Sequence, residues 1–503
     1  MGCQQANVGA KRPNMRVEPA NAGLLSPARA ASNSALDTRF RSALARMARA
    51  ERVLTCSRTI DPHLEIAATM KALDGDKALL FPSVAGHDVP VVGNLLCSRE
   101  NCEAAFGVDF REIRDFVDRA MGEPIAPRLV KKAPVQEIVL RKDFDIRKIV
   151  PALFHAPNDS GRFVTAGIVI VRDPETGVYN ASYHRLQLHG PDRLGVKLDY
   201  GRHLRAAFER AKRRGIPLTV AVCIGADLAL HFTAATMGSQ MPEHTDELAV
   251  AGGLAGHPLP VVQAVSQDLL VPAEAEFVLE GQMLVDEEEM EGPFGEFIGF
   301  AAPGAPAPVL QISAVTHRRK PIYHAINGYG RETIMLRKYV LEASLLKVLR
   351  AAVPIVKDAE MTAGGLHRFH AVVQVEKKTT QHDGLQRNAI LAAFGALKDL
   401  DLVVVVDEDI DIRDPLDVEY ALATRMEASR DLILVPGARG HEYVRAGNNG
   451  IRTKLGIDAS VPFEEKERFR RVEFSRIDQP NRLFVSDPAV AETLFGAAES
   501  VLE

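Results

Sequence analysis

Residues 162–190 read RFVTAGIVIVRDPETGVYNASYHRLQLHG, and the fold class follows from this stretch. Two strand-like runs flank Asp173-Pro174-Glu175-Thr176-Gly177, a turn-rich break, so the stretch predicts a β-hairpin. The segment HLRAAFERAKRRG that follows is amphipathic and closes on Gly215, which predicts a helix. The apolar run PLTVAVCIGAD then reads as a buried strand, and this part of the chain is mixed α/β.

On the N-terminal side, FRSALARMARAERVL has helical spacing and precedes a Val- and Pro-rich strand-and-turn region near residues 78–95, a small α/β unit. On the C-terminal side, ETIMLRKYVLEASLLKVLRAA predicts a long helix that connects two lobes. Beyond it, HAVVQVEKKT and DLVVVVDED read as strands, and LQRNAILAAFGAL and PLDVEYALATRME as helices. The expected division is a disordered tail over 1–36, an N-terminal α/β portion over 37–155 and a central domain over 156–333. A linker helix over 334–352 and a C-terminal α/β domain over 353–503 complete it. No internal repeat interrupts this order.

A chain of 503 residues, 46% hydrophobic and 25% charged, suits a globular protein of two or three packed domains. No apolar run of about 18 residues occurs, so no membrane span is expected. A net charge of -5 gives no footprint for phosphate backbones, which excludes nucleic acid as an expected partner. Cys3, Cys56, Cys97, Cys102 and Cys223 are odd in number and contain no CxxC pair. That opposes a disulfide framework and a thiolate zinc site, and a cytoplasmic home is expected. The N-terminal stretch has Lys11, Arg12, Arg16 and Arg29 but no apolar core, which excludes a secretory signal and leaves a plain disordered tail, with a weak transit peptide as the alternative. Met1-Gly2-Cys3 begins like an acylation site, but Ala6 stands where Ser or Thr is needed.

Asp407, Glu408, Asp409 and Asp411 resemble the start of a calcium loop, but Ile412 and Val418 replace its turn glycine and closing glutamate. Gly252-Gly253 and Gly328-Tyr329-Gly330 lack the rest of a dinucleotide fingerprint, and no GxxxxGK occurs. Glu291-Gly292-Pro293-Phe294-Gly295-Glu296 has the composition of a type I turn between two glutamates. Paired flanks would set their Cβ atoms about 4.5–5.5 Å apart, and two carboxylates that close suit proton transfer. The same residues also fit the end of the acidic surface run Asp286–Glu289, or the carboxylate pair of a retaining glycosidase. In Asn180-Ala181-Ser182-Tyr183-His184-Arg185-Leu186-Gln187, a buried Arg185 needs a carboxylate partner. Strict alternation puts Asn180 and Arg185 on opposite faces, so a shared site requires a bulge or a barrel mouth.

NASYHRLQ, GRHL, DELAVAGGLAG and EGPFGE occur in the order and near the spacing found in the UbiD family of reversible decarboxylases, which the chain resembles from about residue 60 to 460. The resemblance implies an α/β (α+β) protein with a central split β-barrel that binds flavin. An N-terminal α/β portion packs on the barrel, and a C-terminal α/β domain, joined by a long helix, mediates at least dimerisation. It implies non-oxidative, reversible decarboxylation of an aromatic, heteroaromatic or α,β-unsaturated acid with prenylated FMN, which a separate flavin prenyltransferase must supply.

By the same resemblance Asn180, His203 and Glu247 bind a divalent ion that holds the flavin phosphate. Their oxygen-rich set suits Mn2+ or Mg2+ better than zinc, and K+ is a further candidate ion. Arg185, Glu291 and Glu296 match the catalytic trio, with Glu296 as acid and base. Ser182, Arg185, Gln187, Met241, Pro242 and Lys378 match cofactor contacts, with Lys377 as the alternative to Lys378. Arg202 and Phe297 are candidates to line the substrate pocket. His184 departs from the Tyr of many relatives, and Leu228 from their Pro. A glycoside hydrolase using Glu291 and Glu296 is one alternative. A catalytically silent flavin-binding assembly protein is another, and the intact trio opposes it.

Overall fold

The computed structural model describes residues 35–199, 202–236, 241–242, 244–447 and 449–475. Nearly all of the tail expected over 1–36 lies outside them. Leu36 does not belong to a free tail, because it is buried and its N–H donates to Ala255 O at 2.8 Å. The chain divides into two compact units. The first runs to Phe294 and from Ala302 to Asn327, and the second comprises Gly295–Ala301 and the chain from Gly328.

The first unit is built on a nine-stranded antiparallel sheet. Its strand order is Phe163–Val164, Leu186–Leu188, Arg193–Val196, Ala305–His317, Phe277–Glu291, Leu218–Ile224, Ile168–Arg172 and Tyr179–Tyr183, with Ile138–Leu140 added beside Ala305–His317. The hairpin forms as expected, with Ile168 opposite Tyr183 and Val171 opposite Asn180. Asp173 Oδ1 builds its turn by accepting from the N–H groups of Glu175 and Thr176, both at 2.9 Å.

Tyr179–Tyr183 and Leu186–Leu188 are consecutive in the chain yet lie near opposite ends of the sheet. Laid flat, strands six places apart would be about 29 Å from each other, whereas the link through His184 and Arg185 reaches about 11 Å. The sheet therefore rolls until its ends approach, which is the split barrel. Register shifts at Glu280/Gly281 and between Met283 and Glu288 in the long strand Phe277–Glu291 allow the bend.

The N-terminal portion packs on the barrel within one compact unit. Its sheet, Val53–Thr55, Ala78–Phe81 and Val91–Gly93, is completed by Tyr323–His324 from the end of the unit, with Tyr323 beside Val91. Ile66, Met70, Phe81 and Val91 pack in one apolar cluster with Val169, Val220, Phe277 and Leu310. The expected boundary at 155/156 thus falls inside a single core.

Helix Glu247–Ala255 starts where Asp246 caps it, its carboxylate accepting from Leu248 N at 2.9 Å and Ala249 N at 3.2 Å. Glu247 is thereby fixed at the first helical position. The Gly252-Gly253 pair lets the helix lie against the chain that follows helix Phe110–Gly122. A Cβ on Gly252 would sit 2.3 Å from Ile125 O, and one on Gly253 2.5 Å from Glu123 O.

In the second unit, helix Arg331–Ala352 precedes a five-stranded sheet. Its order is Val356–Met361, His370–Val375, Leu402–Asp407, Ile451–Ala459 and Leu432–Arg439, with parallel pairing at the centre and antiparallel edges. The helix expected as a connector belongs to this unit's core, where Leu341, Leu345 and Leu349 pack with Val373 and Val405. Asp407 and Asp409 bind Arg425, so the acidic strand end is an ion-pair cluster. Among the described residues no helix is long and apolar enough to cross a membrane.

Gly252→Ala should cost about 1–3 kcal/mol by overpacking against backbone that cannot yield. Urea denaturation checks this, and a wild-type midpoint would show that the helix has room to shift.

Candidate active site

Hairpin strand Tyr179–Tyr183 brings Asn180 to the start of helix Glu247–Ala255, and His203 arrives at the first position of helix His203–Arg213. Asn180 Nδ2 donates to Glu247 Oε1 at 2.7 Å, and His203 Nδ1 lies 3.4 Å from the same oxygen. Glu247 is 2% exposed, and its Oε2 is buried without a hydrogen-bond partner among the described residues. Burial raises the Glu247 carboxyl above its ordinary range, opposed by the His203 and Asn180 hydrogen bonds. An adjoining cavity of about 30 Å³, lined by Asp173, Asn180, His203, Arg210, His244 and Glu247, has room for one ion or water.

A buried carboxylate with one unpaired oxygen is costly by itself, and a cation relieves that cost. One carboxylate, one imidazole and one amide therefore fit a divalent ion. The Asn180 amide must present its oxygen to take part. In the structure that oxygen accepts from Ser182 Oγ at 3.2 Å. Ser182 Oγ also lies 3.1 Å from His184 Nε2, and His184 Nδ1 lies 3.2 Å from Lys197 O. Burial pushes the His184 imidazole down to about 4.

His184 and Arg185 occupy the gap between two strands, so strict alternation does not govern Arg185. Its guanidinium forks onto Glu291, with Nε to Oε1 at 2.7 Å and NH2 to Oε2 at 2.9 Å. The two side chains are 10% and 2% exposed, and Arg185 also stacks over Phe294, 5.3 Å from the ring centroid. Gln187 Oε1 accepts from Gly292 N at 2.9 Å, which ties the same stretch to the end of the long strand.

The segments that flank the turn in EGPFGE do not pair the two glutamates. Glu291 pairs with Ala305, and Glu296 N donates instead to Phe300 O at 2.9 Å. The surface-loop reading of Glu291 also fails. The residue is buried in strand Phe277–Glu291, while His189 and Arg193 bind Glu289 earlier in the acidic run.

Glu296 and Phe297 belong to the second unit. Phe297 is buried against Ile334 and Phe369, with Arg368 5.2 Å from its ring centroid. Lys378 is exposed and paired with Glu376, whereas Lys377 is buried on Ser460. Met241 is buried, Pro242 is exposed, and Arg202 is half-buried at the N-cap of its helix.

Models of the N-terminal, Rift-related and C-terminal domains of 3-octaprenyl-4-hydroxybenzoate carboxy-lyase match residues 44–120, 128–330 and 334–459. The chain belongs to the UbiD family of carboxy-lyases. HmfF from Pelotomaculum thermopropionicum in complex with FMN, a UbiD-class enzyme, is 41% identical with a TM-score of 0.83, covering 88% of this chain and 98% of HmfF. An evolved dimeric form of HmfF in complex with prFMN is 38% identical with a TM-score of 0.79, covering 89% and 99%. Anhydromevalonate phosphate decarboxylase from Methanothermobacter thermautotrophicus is 34% identical over 428 residues, 84% of this chain and 97% of the relative. Gallate decarboxylase from Lactiplantibacillus plantarum is 29% identical over 455 residues, 83% and 93%.

Sequence reasoning missed two features of this UbiD chain. The Tyr183 hydroxyl hydrogen-bonds His231 Nδ1, and the His231 ring packs 5.2 Å from His324. Those partners come from three distant segments, so no local pattern announces them. Asn180, Ser182 and His184 are alternate residues of one strand and its continuation, and that period-two spacing was a readable signal for a shared column.

Arg185→Ala leaves Glu291 buried without its partner and should cost about 3–5 kcal/mol. Arg185→Lys should lose part of this, because an ammonium cannot fork. Chemical denaturation measures both, and a loss below about 1 kcal/mol for the alanine variant would place the pair with exposed ones.

Proposed function

We propose that this chain catalyses the non-oxidative, reversible decarboxylation of an aromatic, heteroaromatic or α,β-unsaturated carboxylic acid with prenylated FMN as cofactor. The observation that carries the reading is that residues 180–185 bear part of an incomplete oxygen-rich donor set and the buried Arg185–Glu291 pair. Family membership supports the reaction class, and the FMN and prFMN bound by the related HmfF support the cofactor.

Asn180, His203 and Glu247 would hold Mn2+ or Mg2+, with K+ as a further ion. Ser182, Arg185, Gln187, Met241, Pro242 and Lys378 would contact the flavin. Loss of CO2 from an sp2 carbon is slow because the electron pair left behind has no low-energy orbital to enter, and the bound cofactor supplies that electron sink. Arg185 engages both oxygens of Glu291 and fixes its orientation. Proton delivery to the carbon that loses CO2 then falls to Glu296, the role the family resemblance gives it.

The remaining reading is a small carboxylic acid and CO2 as reactants, a flavin prenyltransferase as cofactor supplier, and a homodimer or larger homo-oligomer. Cys56, Cys97, Cys102 and Cys223 form no disulfide among the described residues, which suits a reducing cytoplasm.

Protein co-produced with a flavin prenyltransferase is expected to carry prenylated flavin and a manganese-like ion. Glu247→Ala should lose both, whereas Glu296→Gln should keep both and lose deuterium exchange at the carboxylate-bearing carbon of a conjugated acid. Near-normal exchange by Glu296→Gln would remove its assigned role. A cofactor-loaded enzyme that acts only on saturated acids or glycosides would overturn the reaction class.

A further inference from the structure

Asn180, Ser182 and His184 link the Lys197 carbonyl to the Glu247 carboxylate through consecutive polar contacts. His184 Nδ1 lies 3.2 Å from Lys197 O, and His184 Nε2 lies 3.1 Å from Ser182 Oγ. Ser182 Oγ lies 3.2 Å from one end of the Asn180 amide, whose other end is 2.7 Å from Glu247 Oε1. A proton count along this column distinguishes two orientations of the amide.

A carbonyl oxygen has no proton, so His184 Nδ1 must donate to Lys197 O. In the neutral ring Nε2 then carries only a lone pair. The single hydroxyl proton of Ser182 is needed there, and Ser182 Oγ must accept from the Asn180 amide nitrogen. The amide oxygen is left facing Glu247. In the opposite orientation Asn180 Nδ2 donates to Glu247 Oε1, and Asn180 Oδ1 takes the Ser182 proton. His184 Nε2 then faces a hydroxyl with no proton left to give. The structure records this second arrangement. In the first, an amide oxygen and a carboxylate oxygen meet at close range and repel, unless a cation lies between them.

The geometry points to His184 as a positioning residue for the divalent ion: by drawing the Ser182 proton to Nε2, it turns the Asn180 amide oxygen toward Glu247. This inference rests on the assignment of Asn180, His203 and Glu247 as the metal donors. Two features support it independently of any activity. Asn180 and Ser182 alternate on one strand with His184 just past its end, and Glu247 Oε2 has no hydrogen-bond partner among the described residues. Burial, with a smaller contribution from the Arg202 charge, disfavours a second proton on the His184 ring.

The test is Mn2+ titration of the full chain, followed by electron paramagnetic resonance. His184→Phe keeps a ring but removes the acceptor, and Ser182→Ala removes the hydroxyl. Each should weaken Mn2+ binding by roughly 10–100-fold. The double variant should bind no more weakly than the weaker single variant, because both changes cut one column. Thermal melts separate packing damage, which lowers stability, from loss of the column, and identify any variant that fails to fold. If His184→Phe does not fold, Ser182→Ala decides, and wild-type affinity there overturns the relay. Unchanged affinity in a folded His184→Phe, or losses that multiply in the double variant, would overturn the relay and leave the metal site standing. A wild-type chain that binds no Mn2+, with Glu247→Ala no different, would overturn the metal site and the relay with it.

Discussion

Two residues, His184 and Arg185, carry the chain from one end of the central sheet to the other, and the rest of the first unit depends on that short crossing. A flat sheet would demand a link several times longer. Rolling the sheet meets the demand and places two kinds of chemistry side by side in sequence. Residues before the crossing serve the Glu247 cluster, and Arg185 serves Glu291. A guanidinium at this closure point needs a buried anion, and the last residue of the long strand provides it.

The two buried glutamates differ in how their carboxylate oxygens are met. Glu291 has a charged partner for each oxygen. Glu247 shares one oxygen between Asn180 and His203 and leaves the other bare. Burial alone does not separate them, since both are almost wholly enclosed. Hydrogen-bond accounting does.

Much of the fold was legible because its signals are local. The hairpin around Asp173–Gly177, the helix ending before Gly215 and the strands of the second unit all followed from period and turn chemistry. The reading of EGPFGE went astray because turn composition does not say which strands pair, and Ala305 rather than Glu296 lies across from Glu291. The core that the N-terminal portion shares with the barrel was hidden for a similar reason. Tyr323–His324 reaches back to the N-terminal sheet, and no local pattern encodes such a return. Gly252-Gly253 lacks the rest of a dinucleotide fingerprint. Its purpose, close approach of a helix to the backbone at Ile125 and Glu123, needed coordinates to be seen.

The pairing of Tyr323 with Val91 also bears on how the protein is made. Val91–Gly93 leaves the ribosome early, and its parallel partner follows only after the barrel strands have been synthesised. Until then that strand edge has open backbone groups and an apolar face, the state from which misassembly begins. Contacts so distant in sequence also slow folding. Cutting the chain at the end of the N-terminal portion would leave that edge without its parallel partner.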